Sequence, residues 1–239
     1  MPARPAARSS CSWPAQRADP ASGTRAATAM SHPRRIVPLL VLAYLGMLFG
    51  GALLKPGYSH MAQYISELGA SGSAHARLIS LAGFVPVGLL AAWLLLACAR
   101  LAPVRGASRL GYWLLMCEPL AWIGSALAPC DPGCPATGSL DQQLHTLLGM
   151  LTYGGTALGL LLLATAPRLP ARIRLLWAGL AASWLLLFVL MALPELQAWR
   201  GLLQRLAEWL VYGVLCGAAW RLGGPARATA ATRPPMAGA

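Results

Sequence analysis

Charged side chains are scarce in this sequence. Only 11% of its 239 residues are charged and seven are acidic, whereas 57% are hydrophobic. Soluble domains carry about 25% charged residues, and a soluble fold of this length has too little interior to hide so much apolar surface. The shortage of charge therefore excludes an ordinary soluble domain and indicates that lipid surrounds the protein.

Polar interruptions are also scarce within the apolar segments. Alternation of apolar and polar residues is missing, and the apolar runs are about twice as long as a barrel strand, which excludes a transmembrane β-barrel. We therefore predict an all-α, polytopic membrane protein with six transmembrane helices. Arg205 and Glu208 weaken the sixth run, and we expect both at headgroup level. The six runs approach the roughly 20 residues that a span needs: 36–54, 78–98, 110–128, 144–166, 175–193 and 202–222.

The distribution of Lys and Arg predicts the orientation. Fifteen of the 19 basic residues fall on the side that carries both termini. By the positive-inside rule, both termini are cytoplasmic, in a plasma or inner membrane. Nucleic acid is not a predicted partner of this chain of net charge +12, because the Arg residues form no basic face. Four basic residues fall on the outer side: Lys55, Arg77, Arg200 and Arg205.

The two ends of the chain differ in composition from the membrane domain, 36–222. Residues 1–35 are rich in Ala, Pro, Arg and Ser and lack apolar periodicity, so we expect them to be disordered, like 223–239. A transit peptide has such a composition. The alternative that we favour is a start at Met30, directly before a short basic segment and the first span.

The first outer loop has a one-sided pattern, which predicts a short amphipathic helix on the outer surface that ends at Gly69. The polar side of this helix faces either water or a cleft. The apolar positions repeat with helical spacing: Met61, Tyr64, Ile65 and Leu68. The polar positions group on the opposite side: His60, Gln63 and Glu67, with Ser66 beside them.

The second outer loop contains Cys130 and Cys134 on either side of an Asp-Pro-Gly turn. The turn brings the two side chains close, and the outer face is oxidising, so we predict a disulfide. Free thiols and a zinc site are the alternatives. Zinc would need two further ligands from His60, His75 and His145. No nucleotide, P-loop or complete metal motif occurs, so we predict no cofactor and no metal.

The start of the fourth span combines a helix cap with an ionisable pair. Ser139 and Gln142 fit the S-x-x-Q capping box. Asp141 and His145 are four residues apart, so the carboxylate can hold the imidazole in one tautomer. His145 lies just inside the predicted membrane boundary, where an ionisable group is a functional candidate. The alternative is a structural histidine that bonds a neighbouring helix.

Glu118 and Pro119 lie near the middle of the third span. A carboxyl group at that depth is costly unless it is paired or protonated. It is either a proton or ion site or one end of a helix–helix hydrogen bond. Pro119 frees a backbone carbonyl and should kink the third span, and Pro86 should do the same in the second.

Three features carry a resemblance to a known family: YISELGASG after the first span, the PCDPGCP turn, and His145 at the entry to the fourth span. Across 36–222 the chain resembles the family called domain of unknown function 998. It is more distantly similar to the six-span DRAM and FRAG-like proteins, some of which are linked to lipid-anchor remodelling and autophagy. The resemblance implies the six-span architecture and no established activity.

Two functional hypotheses follow, and membrane lipid is the expected partner in both. The first is a lipid-directed hydrolase or acyl-transfer enzyme. Ser66, or a water held by Glu67, would be the nucleophile, and His145 the base, oriented by Asp141 or Asp131. It requires Ser66, Glu67, Asp131 and His145 to converge in one outer cavity. The alternative is a non-catalytic small transporter, lipid-binding scaffold or partner subunit, centred on Glu118.

Overall fold

The computed structural model describes residues 33–224. The predictions for residues 1–32, including the start at Met30, and for 225–239 lie outside the described residues. Within the described range the chain forms helices and connecting loops, with no strand. The all-α prediction is confirmed.

The described part of the chain contains six long helices. Helices α1 to α5 are long and apolar enough to cross a membrane, so the protein is a polytopic helical membrane protein. Helix α6 is not among these candidates because it contains Arg200, Arg205 and Glu208, so the sixth span stays a prediction. The helices are α1, Pro33–Leu54; α2, Ala76–Cys98; α3, Ala107–Leu127; α4, Leu140–Ala164; α5, Ala171–Ala192; and α6, Arg200–Leu222.

The helices pack as a closed ring. Each packs against the next along the chain, and α6 packs against α1 as well as α5. Short connections favour such antiparallel neighbours. A ring of six helices leaves space at its centre, and side chains from every helix point toward that space.

The distribution of apolar and charged side chains is reversed relative to that of a soluble protein. Large apolar side chains are exposed on the outside of the ring, including Leu53 at 87% and Leu175 at 72%. Arg205 and Glu208, in contrast, are buried within the protein. Both therefore turn inward, where protein groups replace water, and their expected position at headgroup level stays a prediction.

Two of the helices are interrupted next to proline, as predicted. Helix α2 contains a π-helical segment, Ser80–Phe84, that ends two residues before Pro86. Helix α3 divides into Ala107–Leu114 and Cys117–Leu127, because Pro119 has no N–H for the carbonyl four residues earlier. Near this break, the Cys117 carbonyl accepts a hydrogen bond from Thr152 Oγ1 at 3.1 Å.

The first loop differs from its prediction. It contains a 3-10 helix of five residues, Ile65–Gly69, rather than an amphipathic helix that begins near Met61. Its predicted polar side is not on the surface, since Glu67 is buried beside Ile65 and Leu68. The amphipathic surface helix is therefore wrong: Glu67 binds partners inside the protein instead of water.

Three loops meet at one end of the ring, and we call it the loop-rich end: residues 55–75, 128–139 and 193–199. The Ser71 N–H donates to the Cys130 carbonyl at 2.8 Å, and the Leu202 N–H donates to the Met61 carbonyl at 3.0 Å. These bonds fix the first loop to the second loop and to the start of α6. The loop-rich end therefore covers the central space from one side.

Candidate functional site

The Glu67 carboxylate is fastened inside the loop-rich end. Its side chain accepts from the Tyr64 N–H at 3.0 Å, from Gln63 Nε2 at 3.0 Å and from Arg200 Nη2 at 2.9 Å. Glu67 is only 1% exposed. Since both oxygens are occupied by these donors, Glu67 holds the 3-10 helix against α6 rather than presenting a base to a water.

Two arginines of α6 complete this attachment. Arg200 also donates to the Ala62 carbonyl at 3.0 Å and lies 4.5 Å from the centre of the Tyr64 ring. Arg205 donates to the Gln63 carbonyl at 3.0 Å and to the Tyr58 hydroxyl. Burial raises the pKa of Tyr58 to about 12, although the Arg205 charge acts in the opposite direction. The first loop is thus bound to α6 by two guanidinium groups.

Cys130 and Cys134 are joined by a disulfide whose sulfur atoms are 1.99 Å apart. Ser66 Oγ lies 3.4 Å from Cys134 Sγ, so the loop of the disulfide and the 3-10 helix touch. The ligand atoms of Cys130, Cys134 and His145 lie within 4.8 Å of one another. The disulfide occupies both sulfurs, so this group has the chemistry of a metal site only after reduction.

Asp131 binds the start of α4. Its carboxylate accepts from the Ser139 N–H at 2.8 Å and from Ser139 Oγ at 2.7 Å. These two bonds lower the pKa of Asp131 because they stabilise its ionised form. Ser139 Oγ caps α4 by accepting from the Gln142 N–H at 3.1 Å, as predicted. The Gln142 side chain accepts from the Asp131 N–H at 2.9 Å.

His145 is oriented by a backbone carbonyl. Its Nδ1 lies 3.0 Å from the Ala128 carbonyl oxygen. In the neutral ring this contact places the proton on Nδ1 and leaves the lone pair on Nε2. The structure does not show the predicted orientation by a carboxylate: Asp141 is exposed and Asp131 is bound to Ser139.

A cavity of about 80 Å³ lies beneath the loop-rich end, and we call it the small cavity. It brings together Ser66, His145 and Glu118, three of the residues singled out from the sequence. Glu67, Asp131 and Asp141 are not part of its lining. The expected convergence around His145 therefore occurs only in part. Further polar groups in the wall come from neighbouring helices: Ser125, Thr152, Gln204 and Glu208.

Glu118 and Glu208 form a buried acidic pair. They are 3% and 4% exposed, and both line the small cavity, close enough for the two carboxyl groups to interact. Oε2 of each has no hydrogen-bond partner among the described residues. Sequence reasoning missed Glu208. The missed signal is its distance from the start of the helix, since it lies about 12 Å along α6 from Arg200.

A larger cavity of about 470 Å³ lies on the other side of Glu118, and we call it the large cavity. Its walls are mostly apolar and include Leu94, Leu163 and Trp177. It extends from Glu118 toward the end of α6 at Arg221. Its volume is in the range of ordinary small-molecule sites. Glu118 is therefore the acidic group shared by both cavities.

Three aromatic side chains surround the acidic pair. The Tyr44 ring centre lies 5.9 Å from that of Trp122 and 5.7 Å from that of Tyr212. Their polar atoms, the two hydroxyls and the indole N–H, are buried without a hydrogen bond of normal geometry in the described part of the chain. The pair thus lies in an aromatic pocket whose polar groups are available to a further partner.

These features define a class: a polytopic helical membrane protein with a buried acidic pair between a polar and an apolar cavity. The chain belongs to the DUF998 family, since the family model described as "Protein of unknown function (DUF998)" matches residues 38–221. No curated protein and no solved structure matches the chain. The predicted family is thereby confirmed, whereas nothing found here bears on the more distant likeness to DRAM and FRAG-like proteins.

Proposed function

We propose that this protein is a non-catalytic membrane protein that binds a lipid-like amphiphile inside its ring of helices. The observation that carries the proposal is the large cavity: about 470 Å³, with apolar walls and a single carboxyl group, Glu118, at its deep end. An apolar space of this size suits an alkyl chain, and one polar group at its end suits a headgroup. The ligand comes from the surrounding membrane lipid.

The proposal is tested with a long-chain fatty alcohol that carries a photoactivatable diazirine, added to the protein in lipid nanodiscs. We expect labelling of buried large-cavity residues such as Leu94 and Leu163, identified by peptide mass spectrometry. Ala91 is buried in the cavity wall, so Ala91→Phe should reduce this labelling at least fivefold by filling the space.

Ala182→Phe is the matched control, because Ala182 is exposed on α5 and the same change there fills no cavity. It should leave the labelling unchanged. If label appears only on residues at the outside of the ring, in wild type and variants alike, the large cavity does not hold a ligand chain and the proposal is wrong.

The hydrolase hypothesis retains one supporting observation. Ser66 and His145 line the same small cavity, and His145 Nε2 is free to act as a base. Against it, the cavity is only about 80 Å³, and the carboxylates assigned to support His145 bind other groups. These facts favour binding over hydrolysis. Ser66→Ala separates the two, because it abolishes hydrolysis and leaves alcohol labelling of the large cavity intact.

We also propose that both termini are cytoplasmic and that α6 is a sixth span, in a plasma or inner membrane. The basic residues support this orientation. The loop-rich end, with its disulfide, then faces the oxidising outer side. The large cavity extends toward the cytoplasmic end.

A further inference from the structure

The acidic pair cannot carry two negative charges where it stands. Two neighbouring carboxyl groups in the wall of one small cavity, both almost completely buried, repel strongly when both are ionised. One proton shared between Glu118 and Glu208 removes the repulsion and supplies the missing hydrogen bond. With that proton the pair carries a single negative charge.

Few fixed charges lie near the pair. Among the described ionisable groups around it, the guanidinium of Arg205 carries a permanent charge. It donates to the Gln63 and Gly201 carbonyls and to the Tyr58 hydroxyl rather than to the pair, so the charge of the pair is left for a ligand to balance. The surrounding ionisable groups are Tyr44 from α1, Cys117 from α3, His145 and Tyr153 from α4, and Arg205 and Tyr212 from α6.

The aromatic pocket provides a second, independent indication of a ligand. Tyr44, Trp122 and Tyr212 present ring faces and unpaired polar atoms around the pair. Tyr212 and Glu118 also line the large cavity, so the pocket opens into the apolar space. Aromatic rings beside a carboxylate are the arrangement that proteins use for alkylammonium groups, through cation–π attraction.

We propose that the Glu118–Glu208 pair, together with Tyr44, Trp122 and Tyr212, binds the ammonium head of a single-chain amphiphile in exchange for one proton. The alkyl chain lies in the large cavity, so this inference rests on the proposed function. The exchange conserves charge: the shared proton leaves for solution, and the bound cation replaces its positive charge. No covalent bond forms or breaks apart from this proton transfer.

The test uses dodecyltrimethylammonium, whose permanent charge cannot itself gain or lose a proton, and 1-dodecanol as its neutral counterpart. Each displaces the photoactivatable alcohol from the large cavity, and the half-displacing concentration is measured at pH 6, 7 and 8. We expect the value for the cation to fall about tenfold for each unit of rising pH, because one proton leaves per cation bound. The value for 1-dodecanol should change less than twofold.

Proton release is measured directly in weakly buffered nanodiscs, with empty nanodiscs as the reference. We expect close to one proton per bound cation and none for 1-dodecanol. In Glu118→Gln the release should vanish and the cation should bind more than tenfold more weakly at pH 8. Alcohol labelling of Leu94 and Leu163 that persists in this variant, whatever its affinity, shows that the cavity is still folded. Glu195→Gln, at an exposed carboxylate of the 3-10 helix Pro194–Trp199, should behave like wild type.

The outcomes separate the two proposals. Equal displacement by cation and alcohol at every pH, with no proton released, overturns the exchange and leaves the alkyl-binding function standing. Absence of alcohol labelling in the large cavity overturns the function itself. Cation binding that depends on pH but is equally strong in Glu118→Gln and in wild type also overturns the inference, because the cation would then bind somewhere other than the pair.

Discussion

Glu67 shows how a single side chain holds the loop-rich end together. It receives three hydrogen bonds from three residues, and only Arg200 among them supplies a full opposite charge. Its side chain is 2% exposed and that of Arg200 17%, so water screens the pair little. Removal of one member of a buried ion pair leaves the other charge uncompensated.

We predict that Glu67→Gln lowers the free energy of unfolding by about 3 kcal/mol, within the range for a broken buried pair. Arg200→Gln should cost a similar amount, and the double variant less than the sum, because the two changes remove the same interaction. Unfolding in mixed micelles measures all three. Glu195→Gln, an exposed carboxylate, should stay within about 0.5 kcal/mol of wild type. If the double variant instead loses the sum of the unfolding free energies lost by the two single variants, the two residues act independently.

Individual residues of the candidate site could be predicted from the sequence only in part. Glu118 stood out because an acid within an apolar run is costly, and Ser139 because a cap follows a fixed pattern. The partner of Glu118 could not be found this way, since Glu208 lies 90 residues later and only the ring closure of α6 brings it near. Pairings between distant elements depend on packing, which a one-dimensional pattern does not contain.

At the scale of the element, α3 and α4 are joined by a close backbone contact at glycine. A Cβ added to Gly159 would lie 2.8 Å from the Gly111 carbonyl oxygen. Small residues let membrane helices approach in this way. Because the obstacle is backbone, it cannot move aside as a flexible side chain can.

We predict that Gly159→Ala destabilises the protein by about 1–3 kcal/mol, the usual cost of overpacking. Gly154→Ala is the control on the same helix, because a Cβ at Gly154 meets nothing within 4 Å. It should be neutral or stabilise by up to about 1 kcal/mol through reduced flexibility of the unfolded chain. Thermal unfolding in detergent compares the two; equal effects would mean that the close contact is not required.

The element scale also explains the one helix that was predicted incorrectly. The spacing of Tyr64, Ile65 and Leu68 does place apolar groups together, and Ile65 and Leu68 are indeed buried. The pattern assumed that the other side meets water, whereas Arg200 and Gln63 surround Glu67 there. The sequence pattern around a charged residue does not distinguish a side chain that meets water from one that binds a buried guanidinium.

At the scale of the whole molecule, the ring of helices depends on α6. It lies between α1 and α5 and contributes Glu208 and Tyr212 to the acidic site and Arg200 and Arg205 to the loop-rich end. Its charged residues lower its hydropathy, so length and composition identify only five candidate spans. Those charges are buried toward the ring rather than exposed to lipid, which removes the objection to a helix in the membrane.

We therefore predict six spans with both termini in the cytoplasm. An even number of spans places the two ends on one side, and fifteen of the 19 basic residues assign that side to the cytoplasm. Fusions of alkaline phosphatase, active outside, and of green fluorescent protein, fluorescent inside, measure the location of each loop. Positions near Gly72 and Gly138 should report the outside, and positions near Ala107 and Pro170 the inside.

A fusion after Pro225 should report the inside because α6 returns the chain across the bilayer. An outside signal there would mean that α6 does not cross, and Glu208 would then be unable to meet Glu118 at the centre of the membrane.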